Sequence, residues 1–163
     1  KPIKYLINTH HHFDHSGGIR TFVAEGATLV TQEISKPYYE KTFGMPRTLA
    51  PDKMGSKTAT IETLTDKKVL TDGKRSMELH LIQGNTHNDG IIMAYLPRER
   101  ILVEADLFTP PATPTTPRPK PPSPFATNLA DNVQRLKLDY QTILPLHGRK
   151  SNRAEFMKWI GKG

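Results

Sequence analysis

Residues 9 to 18 read Thr9-His10-His11-His12-Phe13-Asp14-His15-Ser16-Gly17-Gly18. Neutral imidazole and carboxylate are ligands for zinc, and equally for iron or manganese. Side chains of an extended segment alternate with period two, so His10 and His12 point the same way and can grip one metal as a pair. Asp14 and His15 follow a turn and can face a second metal, while His11 and Phe13 point elsewhere. Three more candidates each sit just past an apolar run. His87 lies in Gly84-Asn85-Thr86-His87-Asn88-Asp89-Gly90, Asp106 closes Ile101-Leu102-Val103-Glu104-Ala105-Asp106, and His147 closes Ile143-Leu144-Pro145-Leu146-His147. Ligands projected from the ends of neighbouring strands converge on one edge of a sheet, the placement a buried metal cluster needs. There is no cysteine, so disulfides and thiolate ligands are excluded and a metal must be held by nitrogen and oxygen.

A histidine run can also be a tag remnant or a solvated stretch. Phe-Asp and Ser-Gly-Gly within the run argue against that. A lone histidine is usually a surface or hydrogen-bonded residue, and an aspartate after a strand is often only a turn former. The arrangement of all these residues in order decides the matter. The run resembles the H-x-H-x-D-H signature of the metallo-β-lactamase superfamily, here His10, His12, Asp14 and His15. His87, Asp106 with its flank Ala-Asp-Leu-Phe, and His147 follow in the family's order.

This resemblance covers nearly the whole chain and implies a two-metal site. One metal would be held by His10, His12 and His87, the other by Asp14, His15 and His147, with Asp106 bridging. Two zinc ions per chain are expected, iron and manganese being the other metals such ligands accept. The implied activity is that of a zinc-dependent hydrolase. Two metals share a water and lower its pKa from about 15.7 toward about 7, and the resulting hydroxide attacks a small ester, lactone, thioester or β-lactam. Asp14 is the implied catalytic residue, orienting that hydroxide and available to carry its proton. The set resembles the glyoxalase II, lactonase and phosphodiesterase-like branches rather than the β-lactamases that use a cysteine ligand.

Two other readings stand beside it. The formal net charge of +7 would suit a phosphodiesterase or nuclease of the same superfamily. Its lysines and arginines are scattered, and no aromatic residues interleave with basic ones as in a base-stacking surface, which argues against nucleic acid as a partner. A small-molecule substrate is expected instead. The third reading is a truncated copy that binds metal without turnover. A flavoprotein branch of the fold works with iron, but together with a partner domain.

The elements that must position these residues are short. Ile3 to Ile7 is a nearly continuous apolar run and predicts a buried strand ending at the histidines. Ile19, Phe22 and Val23 predict a helix stopped by Gly26, and Ala27 to Thr31 a second strand. Glu33 to Phe43 reads as a short helix with Pro37 in its first turn, and Gly44 to Thr60 as a loop. Lys67 to Leu70 and Met77 to Ile82 predict strands joined at Asp72-Gly73. Ile91 to Leu96 and Ile101 to Val103 predict another pair. Thr109 to Pro124 holds more than half of the 14 prolines and can be neither helix nor central strand; it reads as a stiff surface loop beside the site. Leu129, Val133 and Leu136 mark an amphipathic helix, and Thr142 to Leu146 a strand. Asn152 and Glu155 form a capping-box-like start to a last helix that turns Phe156, Trp159 and Ile160 inward.

Interleaved strands, hairpins and helices predict a single mixed α/β domain over 1–163. The resemblance implies an αββα sandwich. In that family the histidine signature follows several N-terminal strands, so a signature starting at residue 10 implies that those strands are missing here. The open sheet edge and apolar face left behind invite self-association, or a second chain that supplies the absent part. No run reaches the roughly 20 apolar residues that span a bilayer, so no membrane partner is expected. The cysteine-free composition suits cytoplasm and periplasm alike.

Overall fold

The computed structural model describes residues 1–162. The chain forms two compact units, Lys1–Asp66 and Lys67–Gly163.

The first unit is built on a three-stranded parallel sheet, β1 (Tyr5–Ile7), β2 (Thr28–Gln32) and β3 (Ile61–Leu64), in that spatial order. Parallel neighbours require a crossover, and each is supplied by helix. Between β1 and β2 run α1 (Phe13–Ser16) and α2 (Ile19–Ala24). Between β2 and β3 run a 3-10 turn (Glu33–Ser35) and α3 (Lys36–Gly44), which carries Pro37 in its first turn, where a missing N–H costs nothing. Gly26 stops α2 with φ 93°, a left-handed backbone that glycine adopts without strain. Ile19, Val23 and Ala24 of α2 meet Leu29 of β2, Tyr39 and Phe43 of α3, and Met54 in one buried cluster. Phe22, expected on the same face, is exposed instead.

The second unit carries a six-stranded sheet in sequence order: β4 (Lys67–Thr71), β5 (Ser76–Leu81), β6 (Ile92–Leu96), β7 (Ile101–Glu104), β8 (Thr142–Pro145) and β9 (Ser151–Asn152). All neighbours are antiparallel except β7 and β8. The crossover between those two contains the proline-rich stretch and α4 (Pro124–Arg135), and the chain ends with α5 (Arg153–Trp159). The core joins Met93 and Tyr95 of β6, Leu102 of β7 and Ile143 of β8 to Leu129 and Val133 of α4 and Phe156 of α5. Asn152 caps α5 by accepting from the backbone N–H of Glu155. The reciprocal half of a capping box does not form, because Glu155 turns to Arg149 and Ser151 instead.

Two strands lie outside the sequence expectation. β3 sits at the end of a segment whose earlier part is irregular, and its four residues form a strand through pairing with β2. β9 is two residues long and exists only as a partner of β8. No helix among the described residues is long and apolar enough to cross a membrane.

Candidate metal-ligand clusters

In the first unit the signature begins as the chain leaves β1. Asn8 fixes the exit. Its backbone N–H donates to Val30 of the neighbouring strand at 2.9 Å, and its side-chain amide donates to the carbonyl of His15 at 3.0 Å. Its Oδ1 accepts from the hydroxyl of Tyr39 on α3. Burial holds that phenol far above its usual range, so it stays a neutral donor. One 3 %-exposed asparagine thus ties β1, β2, α3 and the end of the signature together.

The signature is not extended to its end. His12 has a β-type backbone (φ −59°, ψ 149°) and caps α1, its carbonyl accepting from the N–H groups of His15 and Ser16. Asp14 and His15 therefore lie inside a helical turn rather than beyond one. The turn folds the segment back, so three imidazoles gather. The ring of His10 is centred 4.5 Å from those of both His12 and His15. The ligand atoms of His10 and His12 lie within 4.8 Å of each other, and Asp14 Oδ2 lies 3.3 Å from His15 Nε2. Thr9 Oγ1 is 3.2 Å from Nδ1 of His10, a contact that orients the ring. Phe13 is 86 % exposed, and His11 turns to Tyr38, with ring centres 5.0 Å apart. Burial, then the neighbouring His12, lowers the pKa of His11.

In the second unit the sheet explains why three distant residues meet. β5 and β7 both run antiparallel to β6, and β8 runs parallel to β7. The C-terminal ends of β5, β7 and β8 therefore share one edge, and His87, Asp106 and His147 each follow one of these ends. The register pairs Glu104 with Pro145, so Asp106 and His147 each lie two residues past a matched pair. The Asp106 carboxylate sits between the two histidines, with Oδ2 3.1 Å from Nε2 of His87 and Oδ1 3.0 Å from Nε2 of His147.

Each of these candidate residues has its own support. Asn85 Oδ1 accepts from the backbone N–H of His87 at 2.8 Å, so this asparagine shapes the loop. Asn128 and Asn132 of α4 bind the backbone of Gln83, and Asn128 also takes the amide of Asn85. Phe125 packs edge-on to the His87 ring at 5.5 Å. After His147, Gly148 has φ 91°, and a Cβ there would meet Pro110 at 3.2 Å and Thr109 at 3.3 Å. Arg149 Nε donates to the carbonyl of Pro111 at 2.8 Å. The start of the proline-rich loop is thereby packed against the segment carrying His147. Glu104, fully buried, points its Oε2 at the N–H groups of Leu107 (3.1 Å) and Phe108 (3.2 Å). Burial pushes this carboxyl up to about 8 despite those two bonds.

The donors suit a divalent metal: imidazole nitrogens and carboxylate oxygens at close quarters, with the His10 ring oriented by Thr9. The sequence missed Asn8, Asn128, Asn132 and Glu104. Only Glu104 leaves a sequence signal, a carboxylate at a strand position whose alternate neighbour, Leu102, is core. His80, with its strand neighbours, is structural: it is buried and bonded to Glu78 Oε2 at 2.9 Å.

The chain matches the family model described as the metallo-beta-lactamase superfamily over residues 1–147, and it belongs to that superfamily. Its fold is the metallo-β-lactamase fold, a dinuclear metal-binding one. The chain is 30 % identical over 159 residues to a 2,4-dinitroanisole O-demethylase subunit alpha of Nocardioides sp. (strain JS1661), covering 96 % of this chain and 44 % of that protein. It is similar in structure to a metallo-beta-lactamase from Pontibacter korlensis, with TM-score 0.66 and 19 % identity over 99 % of this chain and 69 % of that one. A flavodiiron protein from Giardia intestinalis gives TM-score 0.66 and 19 % identity, over 98 % of this chain and 41 % of its own. The chain thus spans less than half of the curated relative it matches.

Proposed function

We propose that the protein is a dinuclear metal-dependent hydrolase acting on a small ester, lactone, thioester or β-lactam. As the superfamily resemblance implies, His10, His12 and His87 would hold one metal and Asp14, His15 and His147 the other, with Asp106 a ligand common to both. The observation that carries this reading is the Asp106 carboxylate, each oxygen of which faces a histidine Nε2 at about hydrogen-bond distance. One carboxylate that serves two imidazoles is suited to serve two metals. The clustering of His10, His12 and His15 and membership of the superfamily support it further.

A bound metal pair supplies a water acidic enough to be deprotonated near neutral pH and a Lewis acid for the target oxygen. The chain's own contribution is orientation. Thr9 sets the His10 ring, Asn85 and Asn128 set the loop of His87, and Asp14, partly exposed, orients the attacking water and accepts its proton. Zinc is the proposed metal; the all-nitrogen-and-oxygen donor set would also accept iron or manganese.

A second reading rests on the Nocardioides relative: O-demethylation of an aryl methyl ether, performed as one subunit of a larger assembly. A panel of p-nitrophenyl esters, a lactone, a thioester, nitrocefin and 2,4-dinitroanisole separates the two. Hydrolysis of a carbonyl substrate that is abolished in Asp14→Ala supports the first. Release of 2,4-dinitrophenolate alone supports the second. Turnover that persists in Asp14→Ala contradicts the role given to Asp14.

A further inference from the structure

The turn that presents Asp106 is built around a buried acid. Glu104 is the last residue of β7, on the same face of the strand as core residue Leu102, and is 0 % exposed. Immediately beyond it the chain leaves the sheet, and Asp106 takes φ 65°. The left-handed region is open to aspartate at modest cost, but it must be held there. Leu107 and Phe108 then return to the core, each 2 % exposed. Their N–H groups are buried beyond the end of the ladder, and a buried N–H needs an acceptor. Oε2 of Glu104 accepts both, at 3.1 and 3.2 Å. The backbone carbonyl of the same residue accepts from Leu146 at 2.9 Å, the residue preceding His147.

We propose that Glu104 is the positioning residue of the metal bridge. Its side chain clamps the turn that aims Asp106, and its carbonyl sets the approach of His147. The inference rests on the reading above that Asp106 and His147 are ligands. What it adds is a role for a residue that acts through the backbone on either side of the two ligands. The essential property is acceptor reach: an oxygen two methylenes from the strand that takes two N–H groups at once. Glutamine keeps that reach without the carboxyl group, and aspartate keeps the carboxyl group without the reach.

Zinc titrations of the metal-stripped full chain, by competition with a chromophoric chelator, test this. They are run well below the unfolding temperature, alongside far-UV circular dichroism and thermal melts of each metal-free variant. Glu104→Gln is expected to bind zinc as the unaltered chain does. Glu104→Asp and Glu104→Ala, where folded, are expected to bind about 10–100-fold more weakly, the usual effect of losing a group that orients a ligand. A merely structural role would lower the melting temperature and leave the zinc affinity of the folded protein unchanged; that result overturns the proposal. So does retention of zinc by Glu104→Asp with its loss in Glu104→Gln, which would make the carboxyl group itself, and not its reach, the operative property. If Glu104→Ala does not fold, the Gln and Asp pair still decides. An unaltered chain that takes up no zinc sinks the two-metal reading itself, and the role of Glu104 with it.

Discussion

Asp106 and His147 stand 3.0 Å apart, carboxylate oxygen to Nε2, because each follows by two residues a matched pair of the parallel strands β7 and β8. The contact is thus tied to strand register. Asp106→Ala should leave the fold intact, since the residue lies outside the ladder, and should remove the ligand proposed to be common to both metals. The expected outcome is a native circular dichroism spectrum with metal content reduced well below that of the unaltered chain. Unchanged metal content would contradict the bridging role.

Gly148 tests whether the proline-rich loop supports His147. Its φ of 91° and the contacts a Cβ would make with Pro110 and Thr109 disfavour any side chain. Gly148→Ala should lower stability by more than about 1 kcal/mol, as expected where alanine meets an incompatible backbone. It should also weaken metal binding, because the strain falls next to His147, a proposed ligand. Urea denaturation and metal titration of the same variant check the two halves separately.

Asn8 is the corresponding support in the first unit. Asn8→Ala removes the acceptor of the Tyr39 hydroxyl and the donor to the His15 carbonyl. Leaving such buried groups unpaired should cost about 1–3 kcal/mol each. Tyr39→Phe removes the donor itself and should cost less than Asn8→Ala. The reverse order in urea denaturation would show that Asn8 does not hold the exit from β1.

Acid sensitivity has an identifiable contributor. Arg20 of α2 binds Asp52 through Nε at 2.5 Å and Nη2 at 3.0 Å. That hydrogen bonding lowers the Asp52 pKa to about 2. A depressed carboxylate stabilises the fold at pH values above its unfolded value, near 3.9, and loses that contribution as the pH falls toward about 2. Asp52→Asn should therefore be less stable than the unaltered chain at neutral pH, with the gap closing between about pH 4 and pH 2. A gap that stays constant down to pH 2 would contradict this assignment.

Much of this was legible in the sequence because ligand chemistry is local and strand ends are marked by apolar runs. The hexad from His10 to His15 and the strand exits at Asp106 and His147 needed no tertiary information. The helical turn that begins at His12 was hidden, since four residues carry no period. β3 and β9 were hidden for a related reason: each becomes a strand only by pairing with β2 or β8. The supports were the least visible. Asn128 and Asn132 lie more than forty residues from the Gln83 backbone they hold, and no spacing rule links them.

The most direct test is elemental analysis of the purified chain, with His12→Ala beside it. The account predicts about two metal ions per chain, zinc foremost, and a clear fall in the variant, as expected when a first ligand is removed from a site of this kind. Little or no metal in the unaltered chain, or the same content in His12→Ala, would contradict it.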